Sequence, residues 1–182
     1  MIFKKISLSV LLLFLACNCF SQEIQKLPID TVTKNITYQE VVYVDGINKN
    51  QLYTRAKEWF VKTFVSAKEV IQLDDKEVGK IIGKGSSNTS YTYLGVFVSV
   101  NIDYTISITL KDNKYRYEIT SFKANWPANS ASAEELLNIV EKKKSGQAVA
   151  KRVISLIDKK GVELANSIKQ FLASNGNSKD EF

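Results

Sequence analysis

Val96-Phe97-Val98-Ser99-Val100-Asn101-Ile102-Asp103-Tyr104-Thr105-Ile106-Ser107-Ile108-Thr109-Leu110 decides the fold. Its even positions are all apolar or aromatic: Val96, Val98, Val100, Ile102, Tyr104, Ile106, Ile108 and Leu110. Its odd positions, after Phe97, are Ser, Asn, Asp or Thr. Successive strand side chains point to opposite sides, so this alternation describes a long strand with one face on a core and one toward solvent. A two-residue primed turn at Asp112-Asn113 sets Leu110 opposite Tyr115, Ile108 opposite Tyr117 and Ile106 opposite Ile119, all on the apolar side. The same register pairs Thr109 with Arg116 and Ser107 with Glu118 on the polar side. Pattern and turn agree on one hairpin.

Upstream, Ile36–Val44 is β-branched and aromatic and reads as a strand. Asp45-Gly46 turns the chain. Asn48 and Gln51 then form an N-terminal capping box, and Ile47 is placed to staple against Leu52. Leu52, Ala56, Trp59, Phe60 and Thr63 recur at helical spacing as one buried stripe. Strands are expected over Glu69–Asp74 and Glu77–Ser86, joined by a turn at Asp74–Glu77, with Ser86–Ser90 as a polar loop. Asn125–Asn129 ends the sheet region. Ser132 and Glu135 cap a helix reaching about Lys144, Ser145-Gly146 breaks it, and Gln147–Ser174 is helical again. Its apolar side carries Val149, Val153, Leu156, Leu164, Ile168 and Phe171, with a kink or break expected at Lys160-Gly161.

The expected organisation is therefore a signal peptide over 1–21, a linker over 22–35 and an α+β sheet domain over 36–125. C-terminal helices over 126–174 follow, one packing on the sheet, and then a frayed tail over 175–182. Residues 1–21 carry two lysines, an apolar run from Ile6 to Ala16 and small residues, the grammar of an export signal. Cleavage after Ser21 leaves Gln22 first. The competing route treats Leu15-Ala16-Cys17 as a relaxed lipobox with Cys17 lipidated, and gives a membrane-anchored lipoprotein. Either way the protein is exported to the periplasm or beyond.

Both cysteines and the only methionine lie in this leader, and the chain has no histidine. The exported part therefore lacks thiol, imidazole and thioether, which removes most metal-binding and nucleophilic chemistry, and no cofactor is expected. Lys4 and Lys5 leave with the leader, lowering the formal charge from +6 to +4. The rest is mixed, with 14 basic against 12 acidic residues over 22–131 and 9 against 7 over 132–182. Nucleic-acid binders concentrate their charge, so nucleic acid is not the expected partner.

The strand–helix–four-strand–helix order has three landmarks: Leu52–Phe60 (LYTRAKEWF), Gly79–Gly85 (GKIIGKG) and Leu110–Phe122 (LKDNKYRYEITSF). With the export signal, the chain resembles domain-of-unknown-function family 4468, secreted proteins common in Bacteroidetes. The resemblance covers about the first hundred exported residues. It implies a TATA-binding-protein-like fold, a curved antiparallel sheet of about five strands packed by helices. The family has no established activity, so it supplies no catalytic residues.

The glycines of Gly79–Ser86 do not fit a phosphate loop, because three residues separate Gly79 from Gly83 and Gly85 follows Lys84. Ser86 occupies the second glycine position of an RNA-binding Ile-Ile-Gly-x-x-Gly loop. A strand with a bulge or close packing is the better reading. Asp74-Asp75 and Glu134-Glu135 sit where a turn and a helix start favour acids. The cations Lys142–Lys144, Lys151, Arg152 and Lys159 read as a solvated helix face.

These observations favour a non-enzymatic envelope binding or interaction module. The alternative is a hydrolase using Ser–Lys or carboxylate chemistry. The candidate binding face is Ser99, Asn101, Asp103, Thr105, Ser107 and Thr109 with Arg116 and Glu118. Thr120 lies alongside, and Phe97 and Phe122 are expected at one end. An envelope protein or glycan is the expected partner, with membrane contact only through a lipidated Cys17.

Overall fold

The computed structural model describes residues 27–127 and 129–174. Both processing routes and the 175–182 tail lie outside the described residues. The alternating stretch is a single strand, β4 (Val96–Lys111), hairpinned to β5 (Lys114–Trp126). Leu110 pairs with Tyr115, Ile108 with Tyr117, Ile106 with Ile119, Thr109 with Arg116 and Ser107 with Glu118, as the turn requires. Around them lie β1 (Tyr38–Tyr43), β2 (Ile71–Asp75), β3 (Lys80–Tyr93) and β6 (Asn129–Ser132). The antiparallel order is β1-β5-β4-β3-β2, and β6 pairs with the end of β5 beyond β1.

One face of this sheet is covered by helices. These are α1 (Lys49–Thr63), the single turn α2 (Ala67–Val70), α3 (Ala133–Glu141) and α4 (Gln147–Ala173). Capping boxes open α1 at Asn48/Gln51 and α3 at Ser132/Glu135. Leu52, Ala56, Trp59 and Phe60 of α1, with Val153, Ile157, Leu164 and Ile168 of α4, pack on Ile102, Ile106, Ile108 and Ile119. The Trp59 indole N–H donates to Ser167 Oγ at 2.9 Å, and Arg55 Nη1 donates to Leu172 O at 2.9 Å. α1 and α4 therefore run antiparallel.

Several expectations are corrected. Ser86–Ser90 is not a loop: β3 continues to Tyr93 because every residue from Lys80 onward pairs with β4. Sheet pairing also resumes after Trp126 as β6, so the described residues form a six-stranded sheet. Ile71 rather than Glu69 begins β2, after the α2 turn. Thr63 is exposed, and Tyr53 takes a buried place on α1. α3 stops at Glu141. Residues 28–36 do not run as a linker: Ile29 bridges Ile36, and Asp30 Oδ1 accepts from the N–H groups of Val32 and Thr33.

The hairpin turn is not primed either. Only Asn113 takes positive φ (60°), whereas a primed turn needs it at the first central residue. Tertiary hydrogen bonds hold the turn instead. Asn113 N–H donates to Ile47 O at 2.9 Å, Asn113 Oδ1 accepts from Gly46 N–H at 3.0 Å, and Asp112 Oδ1 accepts from Lys49 N–H at 2.7 Å.

α4 runs as one helix from Gln147 to Ala173 and does not break at Gly161. A Cβ there would fall 2.5 Å from Tyr38 Cδ2 and 2.6 Å from Tyr38 Cζ, so this glycine makes room for a ring. The buried side of α4 holds the expected Val153, Leu164 and Ile168 together with Ala150, Ile157, Gly161 and Ala165, while Val149, Leu156 and Phe171 are half-buried.

Candidate functional site: the polar sheet face

The four described helices pack on the apolar side, so the odd-numbered row of β4 faces away from them. Ser99 and Asn101 are exposed, and Asp103, Thr105, Ser107 and Thr109 are partly so. Arg116 and Glu118 of β5 share this side, opposite Thr109 and Ser107. Lys80, Ile82, Lys84, Ser86 and Asn88 of β3 flank the other side of the row. The eight candidate residues thus form one continuous surface.

Much of this surface is held by cross-strand hydrogen bonds, which fix side chains that would otherwise be mobile. Asn88 Nδ2 donates to Asn101 Oδ1 at 2.7 Å and to Ser99 Oγ at 3.1 Å. Asn125 Nδ2 donates to Asp103 Oδ2 at 2.7 Å. Arg116 Nη2 donates to Gln39 Oε1 at 2.5 Å and to Glu118 Oε2 at 3.2 Å. Gln39 Nε2 in turn donates to Asp30 Oδ2 at 3.2 Å. Asp30 is held below the ordinary carboxylate range, first by the Thr33 backbone N–H and then by the Thr33 hydroxyl. The polar ladder therefore runs from β5 across β1 to the 30–34 turn. Gln39, Asp30, Asn88 and Asn125 were not legible as partners, because each depends on pairing between segments distant in sequence.

Among the described residues, the hydroxyls of Thr105, Ser107 and Thr109 have no side-chain hydrogen-bond partner. They stand in line between Lys80 and Lys84 on β3 and Arg116, Glu118 and Thr120 on β5. This centre can both donate and accept, with a cation on either side. At the β1 edge, an open cleft of about 300 Å³ is lined by Pro28, Ile29, Tyr38, Gln39 and Tyr117.

Phe122 does not join Phe97 on this face. Thr105 pairs with Thr120 but Asp103 pairs with Lys123, so β5 carries one extra residue opposite Tyr104. Ser121, at φ 56°, marks this bulge, and a bulge reverses the inside–outside sense of the residues beyond it. Phe122 therefore points inward, edge-on to Tyr38 at 5.8 Å between ring centres, and Lys123 and Asn125 take the outer side.

The other sequence features have structural places. Gly83 and Gly85 admit aromatic rings, since a Cβ at 83 would fall 2.5 Å from Phe60 Cε1 and one at 85 would fall 2.5 Å from Tyr104 Cε2. Asp74 accepts from Lys57 and from the Tyr53 hydroxyl. Glu134 accepts from the Ile36 N–H at 3.2 Å, while Glu135 closes the α3 capping box. Each acid pair thus has a structural role. Among the described residues, no serine hydroxyl is hydrogen-bonded to a lysine, and no three metal-ligating side chains converge.

A family model, a domain of unknown function (DUF4468) with TBP-like fold, matches residues 38–125. Residues 38–125 belong to the DUF4468 family. A crystal structure of a DUF4468 family protein from Bacteroides ovatus is similar, with a TM-score of 0.67 at 15% identity, covering 85% of this chain and 94% of that one. A TBP-like protein from Parabacteroides distasonis gives a TM-score of 0.52 at 12% identity, covering 75% of this chain and 94% of that one. At such identities the likeness shows the fold. The larger overlap also extends past the family-matched segment into flanking parts of the chain. Among curated proteins none matches. The DUF4468 description names no activity, and fold alone assigns none.

Proposed function

We propose that this DUF4468 protein is a non-enzymatic binding module of the cell envelope, and that its ligand surface is the open polar face of β3, β4 and β5. One observation carries the reading. The unengaged hydroxyls of Thr105, Ser107 and Thr109 stand in a row between Lys80 and Lys84 on β3 and the hydrogen-bonded Arg116 on β5, on the sheet face that no described helix covers. Short hydroxyls lose little side-chain entropy when they bind, and they match a polar protein surface or a glycan equally well. The neighbouring Arg116 is already oriented by Gln39 and Glu118, so docking requires little further ordering.

The test is parallel capture from envelope extract and binding to a glycan array by wild type, Arg116→Glu and Thr105→Lys, with Lys159→Glu on α4 as control. A species held by wild type and the control but lost by both face variants, at unchanged melting temperature, supports the reading. Capture that survives both face substitutions refutes it. Turnover of a hydrolase substrate abolished by one Ser, Lys or Asp substitution would favour the enzymatic alternative.

A further inference from the structure

The hairpin joining β3 and β4 outgrows the sheet. β4 pairs with β5 only from Asn101 onward, and β3 pairs with β2 only up to Gly83. Thr89–Tyr93 and Val96–Val100 therefore pair only with each other. That leaves a two-stranded ribbon of roughly 17 Å at the usual rise per residue.

Val100 is buried and Tyr91 and Val98 pack against the core, so only the outer part of this ribbon projects, and its chemistry is unusual. From Gly85 to Ile102 there is no charged side chain, in a chain that is 24% charged. At its apex Leu94 is 86% exposed, Val96 62% and Phe97 72%. Both sides of the ribbon carry apolar groups. Phe97, opposite Thr92, lies on the polar-face side, and Val96, opposite Tyr93, lies on the other. An apolar protein-docking patch would lie on one side. Apolar groups all round suit immersion.

The apex turn is also made the expensive way. Leu94 and Gly95 both take positive φ (48° and 79°), where asparagine or glycine is the usual first residue and a γ-branched apolar side chain is disfavoured. Local backbone preference does not account for that leucine.

A basic cluster shares this end of the molecule. Phe60 of α1 and Phe64, the residue after its last turn, lie over Gly83 and Gly85, so α1 points toward the ribbon. Since α4 is antiparallel to α1, its first turns and the preceding loop lie at the ribbon end. Lys142, Lys143, Lys144, Lys151 and Arg152 are all exposed there and form no salt bridge among the described residues. No described helix is long and apolar enough to cross a membrane.

We infer that the Tyr93–Phe97 tip inserts into the interface of an anionic lipid bilayer while the Lys142–Arg152 cluster binds its headgroups. Apolar insertion and electrostatic attraction each give weak attachment, and together they hold a peripheral protein at a membrane. Tyr93 suits the headgroup boundary, where amphipathic aromatics concentrate. This contact needs no acyl group at Cys17 and is independent of what the polar face binds.

The test is sedimentation of the chain starting at Gln22, which carries no acyl group, with vesicles of phosphatidylcholine alone or mixed equally with phosphatidylglycerol. Binding to the anionic vesicles only, weakened by salt, is expected. Leu94→Asp combined with Phe97→Asp lowers that binding at least roughly tenfold, and replacing Lys142–Lys144 with glutamine weakens it. Leu94→Asn separates this role from a structural one. It raises the melting temperature, because asparagine suits the turn, yet lowers vesicle binding. Absence of anionic-vesicle binding, or binding unchanged in the double aspartate variant, overturns the inference. A lipid-free dimer that the double variant converts to monomer also overturns it, in favour of a second copy at the tip. Neither result bears on capture by Thr105 and Arg116 variants, so the two readings fail separately.

Discussion

Gly161 in the middle of α4 lies against the ring of Tyr38 at the edge of the sheet, and Asp158, one turn earlier, accepts a 2.6 Å hydrogen bond from that tyrosine's hydroxyl. The ring is held at its tip and cannot retreat. Gly161→Ala is therefore expected to destabilise the fold, although alanine favours a helix interior by about 1 kcal/mol over glycine. Overpacking of about 1–3 kcal/mol outweighs that gain. Urea unfolding of Gly161→Ala alone and with Tyr38→Leu measures the coupling. The alanine should be tolerated once the ring is gone.

One-sided burial makes a sharper prediction. Ile106 and Tyr104 are buried among core residues, while Thr105 between them faces the polar side. Tyr104→Asp or Ile106→Asp should prevent folding, since each buries an unpaired charge at a cost of several kcal/mol. Thr105→Asp sits beside Lys84 and should leave the melting temperature nearly unchanged. Equal effects from all three would mean a sheet buried on both faces.

Tyr115 is 1% exposed, and its hydroxyl has no partner among the described residues. An unmade buried hydrogen bond costs about 1–3 kcal/mol, so Tyr115→Phe should be neutral or stabilising by up to about 1 kcal/mol. Tyr38→Phe, which leaves Asp158 without its donor, should destabilise. Chemical denaturation of the two variants under one set of conditions compares them directly.

The pH dependence follows from the same tyrosines. Burial first, then Asp74 for Tyr53 and Glu40 for Tyr115, pushes these two phenols up to about 12. Tyr38 and Tyr117 are raised as well, first by burial and then by Asp158 and Glu40 respectively. A phenol raised above its ordinary 10.0 contributes stability that is complete below that pH and lost as pH climbs through the folded value. Carboxylates act in the opposite direction. Glu40 is held below 4.5, chiefly by the Lys169 hydrogen bond. Burial pushes Asp74 up, but Lys57 and Tyr53 prevail and hold it below 3.8. Their contribution is present above those values and disappears as pH falls through the folded ones. The chain has no histidine to titrate near neutrality, so the melting temperature should stay level from about pH 6 to 9 and fall on either side. A steep change between about pH 6 and 8 would contradict this.

What was legible in the sequence was local or strictly periodic. The Asn48/Gln51 and Ser132/Glu135 boxes act within four residues, and the β4–β5 register follows from alternation on both strands. The eight polar-face residues could be grouped for the same reason. What escaped depends on distant contacts. Ser86–Ser90 reads as a loop because its residues are polar, and only the partner strand β4 makes it a strand. Phe122 was misplaced because a bulge at Ser121 reverses the pleat, and Gly161 because its use is to receive Tyr38. The Glu118–Arg116–Gln39–Asp30 ladder joins three segments whose adjacency no spacing reveals.

The central claim is that the polar face, not the helical side, meets the partner. Site-specific photo-crosslinking in living cells tests it most directly, with benzoylphenylalanine placed singly at Thr105, at Ser107 and, as the helix-side comparison, at exposed Asn166 of α4. The account predicts discrete, reproducible adducts from Thr105 and Ser107 and none from Asn166. Adducts from Asn166 alone would contradict it and move the binding surface to the helices.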